Sequence, residues 1–530
     1  MSSTVAVMDH STWRPKSNPW LIAVAVTLAA FMEVLDTTIV NVSLPHIAGS
    51  LSSSYNDATW SLTSYLVANG IVLPISGSLG RVLGRKRYFM ACIAMFAVCS
   101  FLCGIATSLP ELILFRLLQG FFGGGLQPNQ QSIILDTFAP AQRSRAFSVV
   151  AIAVIFAPII GPTLGGWITD TYSWRWIFLI NVPIGILTFF VVGQLVEDPP
   201  WIKEERQSWR DMDFVGILLI AVGLGSLQIM LDRGEDEDWF SSPFILTMAI
   251  LTIVSIAAAI WWLLTVKKPV VSLEVFKDRN FAVGSIMVLM MFAVLYSGSV
   301  LLPQLAQQQM GYTATWAGLI LSPGGFVILP LIPFVSRVLM PNIETRYIVG
   351  FGFFAVGCSL WYATTLTPTL DFYHLASLRL TQTFGLAFLF VPNSTITYST
   401  VPRRLNTDAS SLYVMLRNVS GATGISVATA MLVEQTQVHR AHLVAHLTPY
   451  SQPFNDLTAR IQSTLVGRFP TTSLHDTALG LVNQALNLQA SLLAYIDVFS
   501  ATAIGSFCAI PLIFLFKSGR ARKGAAPIHD

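Results

Sequence analysis

Charge is what this sequence has least of. Asp, Glu, Lys and Arg make up 11% of its 530 residues, less than half the share of an ordinary soluble protein. Alongside 53% hydrophobic residues, that excludes a water-soluble globular chain and leaves a polytopic membrane protein. Cysteine is scarce as well. Cys92, Cys99, Cys103, Cys358 and Cys508 all fall in apolar runs. None stands at metal-ligand spacing from histidine, so buried inert thiols are expected and no metal site. No glycine-rich loop ends in Gly-Lys-Ser/Thr, which argues against drive by a nucleotide cofactor. No cleavable leader is visible: Met1–Asn18 is polar, and the first apolar run is too long for one. The net charge of +3 is small, and no nucleic-acid partner is expected.

What the chain has in quantity is apolar runs of spanning length. Fourteen begin near residues 20, 59, 88, 110, 146, 174, 214, 243, 281, 315, 347, 373, 410 and 494. The expected fold is therefore an all-α integral membrane protein with 14 transmembrane helices. The 31 Lys and Arg fix the topology. Arg116, Arg379 and Arg417 lie within spans. Arg175, Arg233, Arg440, Arg460 and Arg468 fall on one side, and all the others fall on the side of the N-terminal tail. Basic residues mark the cytoplasmic face, so both termini are expected in the cytoplasm.

The fourth and twelfth runs repeat one another. Arg116, Gln119, Pro128 and Asn129 are echoed by Arg379, Gln382, Pro392 and Asn393, with a one-residue shift. Gly421 and Gly424 fall near where Gly161 and Gly165 would recur. Two six-helix bundles plus two inserted helices follow, a transporter architecture. The expected units are a cytoplasmic tail at 1–19, a first bundle at 20–196, a charged linker at 197–213 and inserted helices at 214–266. A second bundle spans 267–516, with a long outer loop at 434–493 that carries His439, His442, His446 and His475 in a solvated setting and has helical apolar periodicity from Thr477 to Leu493. A cytoplasmic tail occupies 517–530.

Four groups of residues carry chemistry. Glu33 and Asp36 sit three apart on one face of the first span. Carboxylates at that depth are costly and face a cavity or a cation, which suits a proton site. Arg116, which cannot readily deprotonate, is their natural partner, with Gln119 on the same face. Next, the fifth span reads Ala157-Pro158 and Gly161-Pro162 through to Gly165-Gly166. Its small residues recur every four positions, so a neighbouring helix can approach closely, and each proline invites a bend. Third, Gly77, Gly80, Arg81, Gly84, Arg85 and Lys86 join the second and third spans, where glycines permit a tight turn and the basic residues meet helix ends and lipid headgroups. Last, Tyr65, Gln119, Gln127, Asn129 and Arg417 are candidate polar groups in an otherwise apolar substrate cavity.

Taken in this order, the motifs resemble the fourteen-span drug:proton antiporter branch of the major facilitator superfamily. Leu35-Asp36 with Thr38 and Asn41 looks like its first-span motif, Gly77–Lys86 its loop motif, Arg116-Gln119-Gly120 its fourth-span motif and Gly161-Pro162 to Gly166 its antiporter motif. Trp176 to Gly185 is similar to its sixth-span signature. Leu227–Gly234 with Asp238-Trp239-Phe240, Leu302-Pro303-Gln304 and Gly311–Gly318 look like EmrB-type subunits in particular. The resemblance implies a proton-coupled multidrug efflux transporter of the bacterial inner membrane. It would export hydrophobic or amphipathic compounds by alternating access, driven by the proton gradient and working with an EmrA-type adaptor and a TolC-type outer-membrane channel. An exporter of one native metabolite, fatty acid or siderophore is the alternative. A membrane-embedded enzyme would need a catalytic pair or metal cluster that the scattered histidines do not supply. In one place the sequence departs from the family: Arg81 stands where the loop motif usually has Asp. In the family that Asp helps to latch the cytoplasmic side, so the latch here is expected to use other groups or to be weaker.

Overall fold

Each of the fourteen apolar runs falls on helix in the computed structural model, which describes residues 15–200, 208, 212–365, 367, 371–448, 450–465 and 474–517. The two expected tails (1–14 and 518–530) and most of the linker lie outside the described residues. The first half contains α1 (Pro19–Ser50), α2 (Tyr55–Leu83), α3 (Arg85–Ile105), α4 (Leu109–Gly123), α5 (Leu126–Thr137), α6 (Arg143–Thr171), α7 (Trp176–Leu179) and α8 (Asn181–Leu195). Two further helices follow, α9 (Phe214–Arg233) and α10 (Pro243–Thr265). The second half runs through α11 (Arg279–Met310), α12 (Ala314–Phe334), α13 (Thr345–Tyr362), α14 (Phe372–Ala387), α15 (Phe390–Thr397), α16 (Asn406–Val444), α17 (Gln452–Leu465) and α18 (Leu474–Ala509).

Among the described residues eleven helical spans are long and apolar enough to cross a membrane, with α7 and α8 counted as one and α14 and α15 as one, and α6 makes twelve when the halves on either side of its 43° bend are joined. That bend sits at Pro158, where the ring removes a backbone donor. Two expected spans fall outside this test for local reasons. The fourth is split into α4 and α5 at Gly123–Gly125, where the backbone presses close to its neighbours: a Cβ on Gly124 would lie 2.7 Å from the Asn69 carbonyl. The thirteenth, α16, carries a polar inner face with Asp408, Ser410, Ser411 and Arg417 all buried. The spanning windows of α1 and of α14 with α15 are 72% and 78% buried, against 28% for α9 and for α10. The former are therefore interior helices, and the latter face lipid. The helix α9 packs on α2 and α16, so the inserted pair touches both halves.

The segment expected as a long outer loop, 434–493, is mostly helical among the described residues, at 434–444, 452–465 and 474–493. At 39 residues, α16 runs far past the roughly 20 that cross a bilayer, and α18 has 36. Ala478, Val482 and Ala490 of α18 are buried. Across the hairpin Arg440 donates to Asn487 at 2.8 Å and Asn483 at 3.2 Å, and His439 meets Asp497 at 2.7 Å. Polar side chains that read as loop in sequence thus zip two helices together outside the apolar zone. The cysteines also divide: Cys92, Cys99 and Cys103 are buried, while Cys358 and Cys508 are exposed on the helix surface.

Candidate functional site

Asp36 and Arg116 form an ion pair at 2.5 Å with no solvent exposure on either side chain. The surrounding shell is polar and convergent. The Asp36 Oδ1 atom accepts from Asn181 Nδ2 at 2.8 Å and from Gln119 Nε2 at 3.1 Å. The guanidinium of Arg116 also donates to the Gln119 side-chain carbonyl at 2.9 Å and, through Nε, to the Ser61 backbone carbonyl at 3.2 Å. Tyr65 lies 4.2 Å beneath it and Phe178 5.5 Å away, ring faces towards the cation. Asn181 in turn is fixed by Ser100 at 3.1 Å. Five helices therefore meet at one charge pair: α1 supplies the acid, α4 the base, α2 the Ser61 carbonyl and Tyr65, α8 Asn181 and α3 Ser100. A buried pair leans on the groups around it to satisfy its remaining donors and acceptors; here Arg116 Nη2 and Asn181 Oδ1 stay without a hydrogen-bond partner among the described residues.

Glu33, one helical turn away, is held differently. Its carboxylate accepts from Gln127 Nε2, from Asn69 Nδ2 at 3.0 Å and from the Tyr65 hydroxyl at 3.4 Å, all neutral donors. It makes no ion pair among the described residues. The positive charge that acts on it comes from Arg417, on α16 of the second half. Arg417 is itself buried, stacks 5.3 Å from the Phe292 ring, and leaves its Nε without a partner. Of the expected cavity residues, Tyr65, Gln119, Gln127 and Arg417 gather around the two acids. Asn129 does not join them: it donates to its own helix, at the Gly125 carbonyl, 2.6 Å away. A cleft of about 710 Å³ does exist, but elsewhere, on α12 and α14 between Pro323, Phe326 and Leu380.

At one end of the molecule the two halves are tied together. Arg81 pairs with Asp408 of α16 at 2.7 Å and donates to the Val270 carbonyl at 3.0 Å. Arg85 pairs with Asp136 and donates to Thr407 at 2.5 Å. Ser132 meets Ser410 at 2.5 Å, and Tyr398 donates to Gln131 at 2.9 Å. Gly77 makes room for this closure, since a Cβ there would already lie 3.1 Å from both Ser411 and Thr407. Gly84, at φ 88°, turns α2 into α3 through a single residue, a conformation suited to glycine. Lys86 closes on the first half instead, with Nζ donating to the Gly193 carbonyl at 2.7 Å. The acid that the loop motif lacks at position 81 is met here by Asp408, which pairs with Arg81 from the second half.

On α6 the small-residue face turns towards α1. Ala157 is fully buried, a Cβ on Gly161 would overlap the Thr38 hydroxyl, and one on Gly165 would lie 2.8 Å from the Ile39 carbonyl. Gly166 is roomier, with Val42 at 3.7 Å. The next face meets the second half, where Gly318 of α12 would bring a Cβ to 2.9 Å from Thr163. The α6 helix is the slab between α1 and α12. Sequence reasoning missed Asn181, Asn69 and Asp408 as site residues. The available signals were a buried amide in the sixth span and an acid in the first turn of α16.

Two repeated helical halves, a buried acid–base core and a cross-half tie define a polytopic transporter. Comparison with known proteins narrows this. The pattern of the Major Facilitator Superfamily matches residues 26–425. The multidrug export protein EmrB of Escherichia coli K12 is 39% identical over 91% of this chain and 92% of its own length. The fatty acid resistance protein FarB of Neisseria gonorrhoeae is 35% identical over 96% and 98%. The crystal structure of the human organic anion transporter MFSD10 (TETRAN) superposes with a TM-score of 0.55 at 14% identity, covering 93% of this chain and all of that one. The chain belongs to the Major Facilitator Superfamily, among its EmrB-type members.

Proposed function

We propose that this chain exports hydrophobic or amphipathic compounds, multidrug substrates among them, by alternating access coupled to inward proton movement. The observation that carries the reading is the unequal treatment of two acids one turn apart. Asp36 has Arg116 as a standing counter-ion within its own half. Glu33 has only neutral donors there, and its opposite charge lies across the interface on Arg417. Protonating Glu33 therefore changes the attraction between the halves, while protonating Asp36 breaks a bond inside one half. A ligand, here a proton, can shift a conformational equilibrium only through such a difference between states. Glu33 acts as the carrier and Asp36–Arg116 as the element that senses it, with Gln119, Gln127 and Tyr65 between them.

In this reading the Arg81 end is cytoplasmic, as are both termini, and the membrane is the bacterial inner membrane. The Pro158–Gly166 stretch of α6 is the sliding surface between α1 and α12. The helical hairpin of α16 and α18 on the opposite side receives an EmrA-type adaptor that leads to a TolC-type channel, as the relationship to EmrB suggests. A second reading, export of one native amphipathic acid, is favoured by the name of FarB and by the buried cation at Arg417. Proteoliposomes with an imposed pH gradient test the proposal. Uptake of a fluorescent amphiphile should require the gradient and be lost in Glu33→Gln. Gradient-driven uptake that survives in Glu33→Gln would remove the assignment of the carrier.

A further inference from the structure

The repeated halves share a frame at their arginines, and the second copy lacks an acid. Arg116 reaches Asp36 across 80 residues of chain, and Arg379 reaches the Ser299 hydroxyl at 3.1 Å, also across 80. Gln119 and Gln382 both sit three residues further on and accept from their arginines at 2.9 and 2.8 Å. The register therefore puts a serine in the place of Asp36. Arg379 is 1% exposed, its Nε has no partner, and no carboxylate pairs with it among the described residues. Guanidinium does not give up its proton in proteins. Neutral acceptors take some of its hydrogens but leave a net charge within the spanning region, which is costly unless an opposite charge attends it.

A second exchange accompanies the first. Leu35 precedes Asp36, and in the same register Gly298 precedes Ser299. A Cβ on Gly298 would come within 2.6 Å of the Gln382 amide nitrogen. The second half thus has neither the carboxylate nor, beside it, the bulky side chain, while keeping two donor groups, the Arg379 guanidinium and the Gln382 amide; the Ser299 hydroxyl donates to the Leu295 carbonyl at 2.7 Å and accepts from Arg379. The geometry points to a site for a small monovalent anion at Arg379, Gln382 and Ser299, the external equivalent of the Asp36 carboxylate. A free halide and the carboxylate of an amphipathic acid have the chemistry it recognises, namely one negative charge and no bulk at the charged end.

Thermal stability of the purified full-length protein reads the site directly. At constant ionic strength and pH, replacing bulky gluconate by chloride should raise Tm saturably by about 3 °C, the signature of a ligand that binds only the folded state. A gluconate buffer containing millimolar octanoate distinguishes the sources: a response to chloride assigns a halide, and a response to octanoate alone assigns an organic acid. Ser299→Ala frees the Arg379 Nη2 that donates to the hydroxyl and should tighten half-saturation several-fold. Ser299→Asp supplies the internal carboxylate and should abolish the response while keeping Tm in gluconate at or above that of the wild type. Arg379→Gln should abolish it too. A wild-type Tm indifferent to both anions overturns the inference. So does a response that Ser299→Ala leaves unchanged or that persists in Arg379→Gln, because the anion then binds elsewhere.

Discussion

Removing Asp408 should open the Arg81 end of the molecule. Its carboxylate is 2.7 Å from Arg81, with the two side chains 8% and 16% exposed. Breaking a fully buried pair by deleting one partner costs about 3–5 kcal/mol, and an exposed pair is worth about 0–1 kcal/mol. A nearly buried pair whose arginine keeps one carbonyl, that of Val270, falls between, at about 1–3 kcal/mol. That corresponds to roughly a 5- to 150-fold shift in the closed-to-open ratio. Spin labels on the tips of α2 and α16, in a background lacking the exposed Cys358 and Cys508, report that ratio as two distance populations. Asp408→Asn and Arg81→Gln should each raise the longer distance. Exchanging the charges, Arg81→Asp with Asp408→Arg, should restore the pair but not fully. Arg81 lies in the last turn of α2 and Asp408 in the first turn of α16, where the helix ends favour a base and an acid by about 0.3–1 kcal/mol each. The exchange forfeits both terms. Unchanged populations in both single variants, or a double variant more open than either single one, would refute the latch.

Other expectations follow from the same geometry. Gly165→Ala drives a Cβ towards the Ile39 carbonyl, and Gly161→Val collides with Thr38. Each should lower stability by about 1–3 kcal/mol, visible as a lower Tm, whereas Gly166→Ala should be close to neutral. Asn181→Ala removes the 2.8 Å donor to Asp36. Leaving a buried charged acceptor short of a partner costs about 1–3 kcal/mol, so Tm should fall and gradient-driven transport with it; a Tm within error of the wild type would refute the role. Arg116→Lys keeps the charge but cannot reach Asp36, Gln119 and the Ser61 carbonyl together. Proton-coupled transport should be lost although the protein still inserts, and full activity would show that only the charge matters.

The architecture was legible because lipid enforces one rule: a run long and apolar enough to span becomes helix. Glu33, Asp36 and Arg116 were legible for the same reason, since charge within a span has to find a partner. The partners themselves were not. Asn181 lies 145 residues from Asp36, and an amide in an apolar helix announces nothing until the neighbouring helix is placed. Asp408 read as one more charge at a span end, and only its position opposite Arg81 makes it that residue's partner. The outer hairpin was legible only towards its end, where Thr477 to Leu493 keeps a helical period; ahead of that, polarity reads as loop. Helix propensity survives in water when Arg440 can bridge to Asn483 and Asn487.

The halves share a fold and differ in charge, and that difference fits them to move against each other. In the first half the Asp36–Arg116 pair is neutral overall, which leaves Glu33 as an unbalanced acid. In the second half Arg417 and Arg379 are unbalanced bases. When Glu33 is charged, the excess charges attract across the interface where α16 meets the first half; when it is protonated, that attraction is gone. Reversing a conformational ratio from 1:99 to 99:1 takes about 5.5 kcal/mol, more than the Arg81–Asp408 pair supplies alone. Closure at that end is therefore shared with Arg85–Thr407, Ser132–Ser410 and Tyr398–Gln131. Single substitutions there should shift the cycle without stopping it, and loss of Glu33 should leave the halves able to rock but no longer driven by protons.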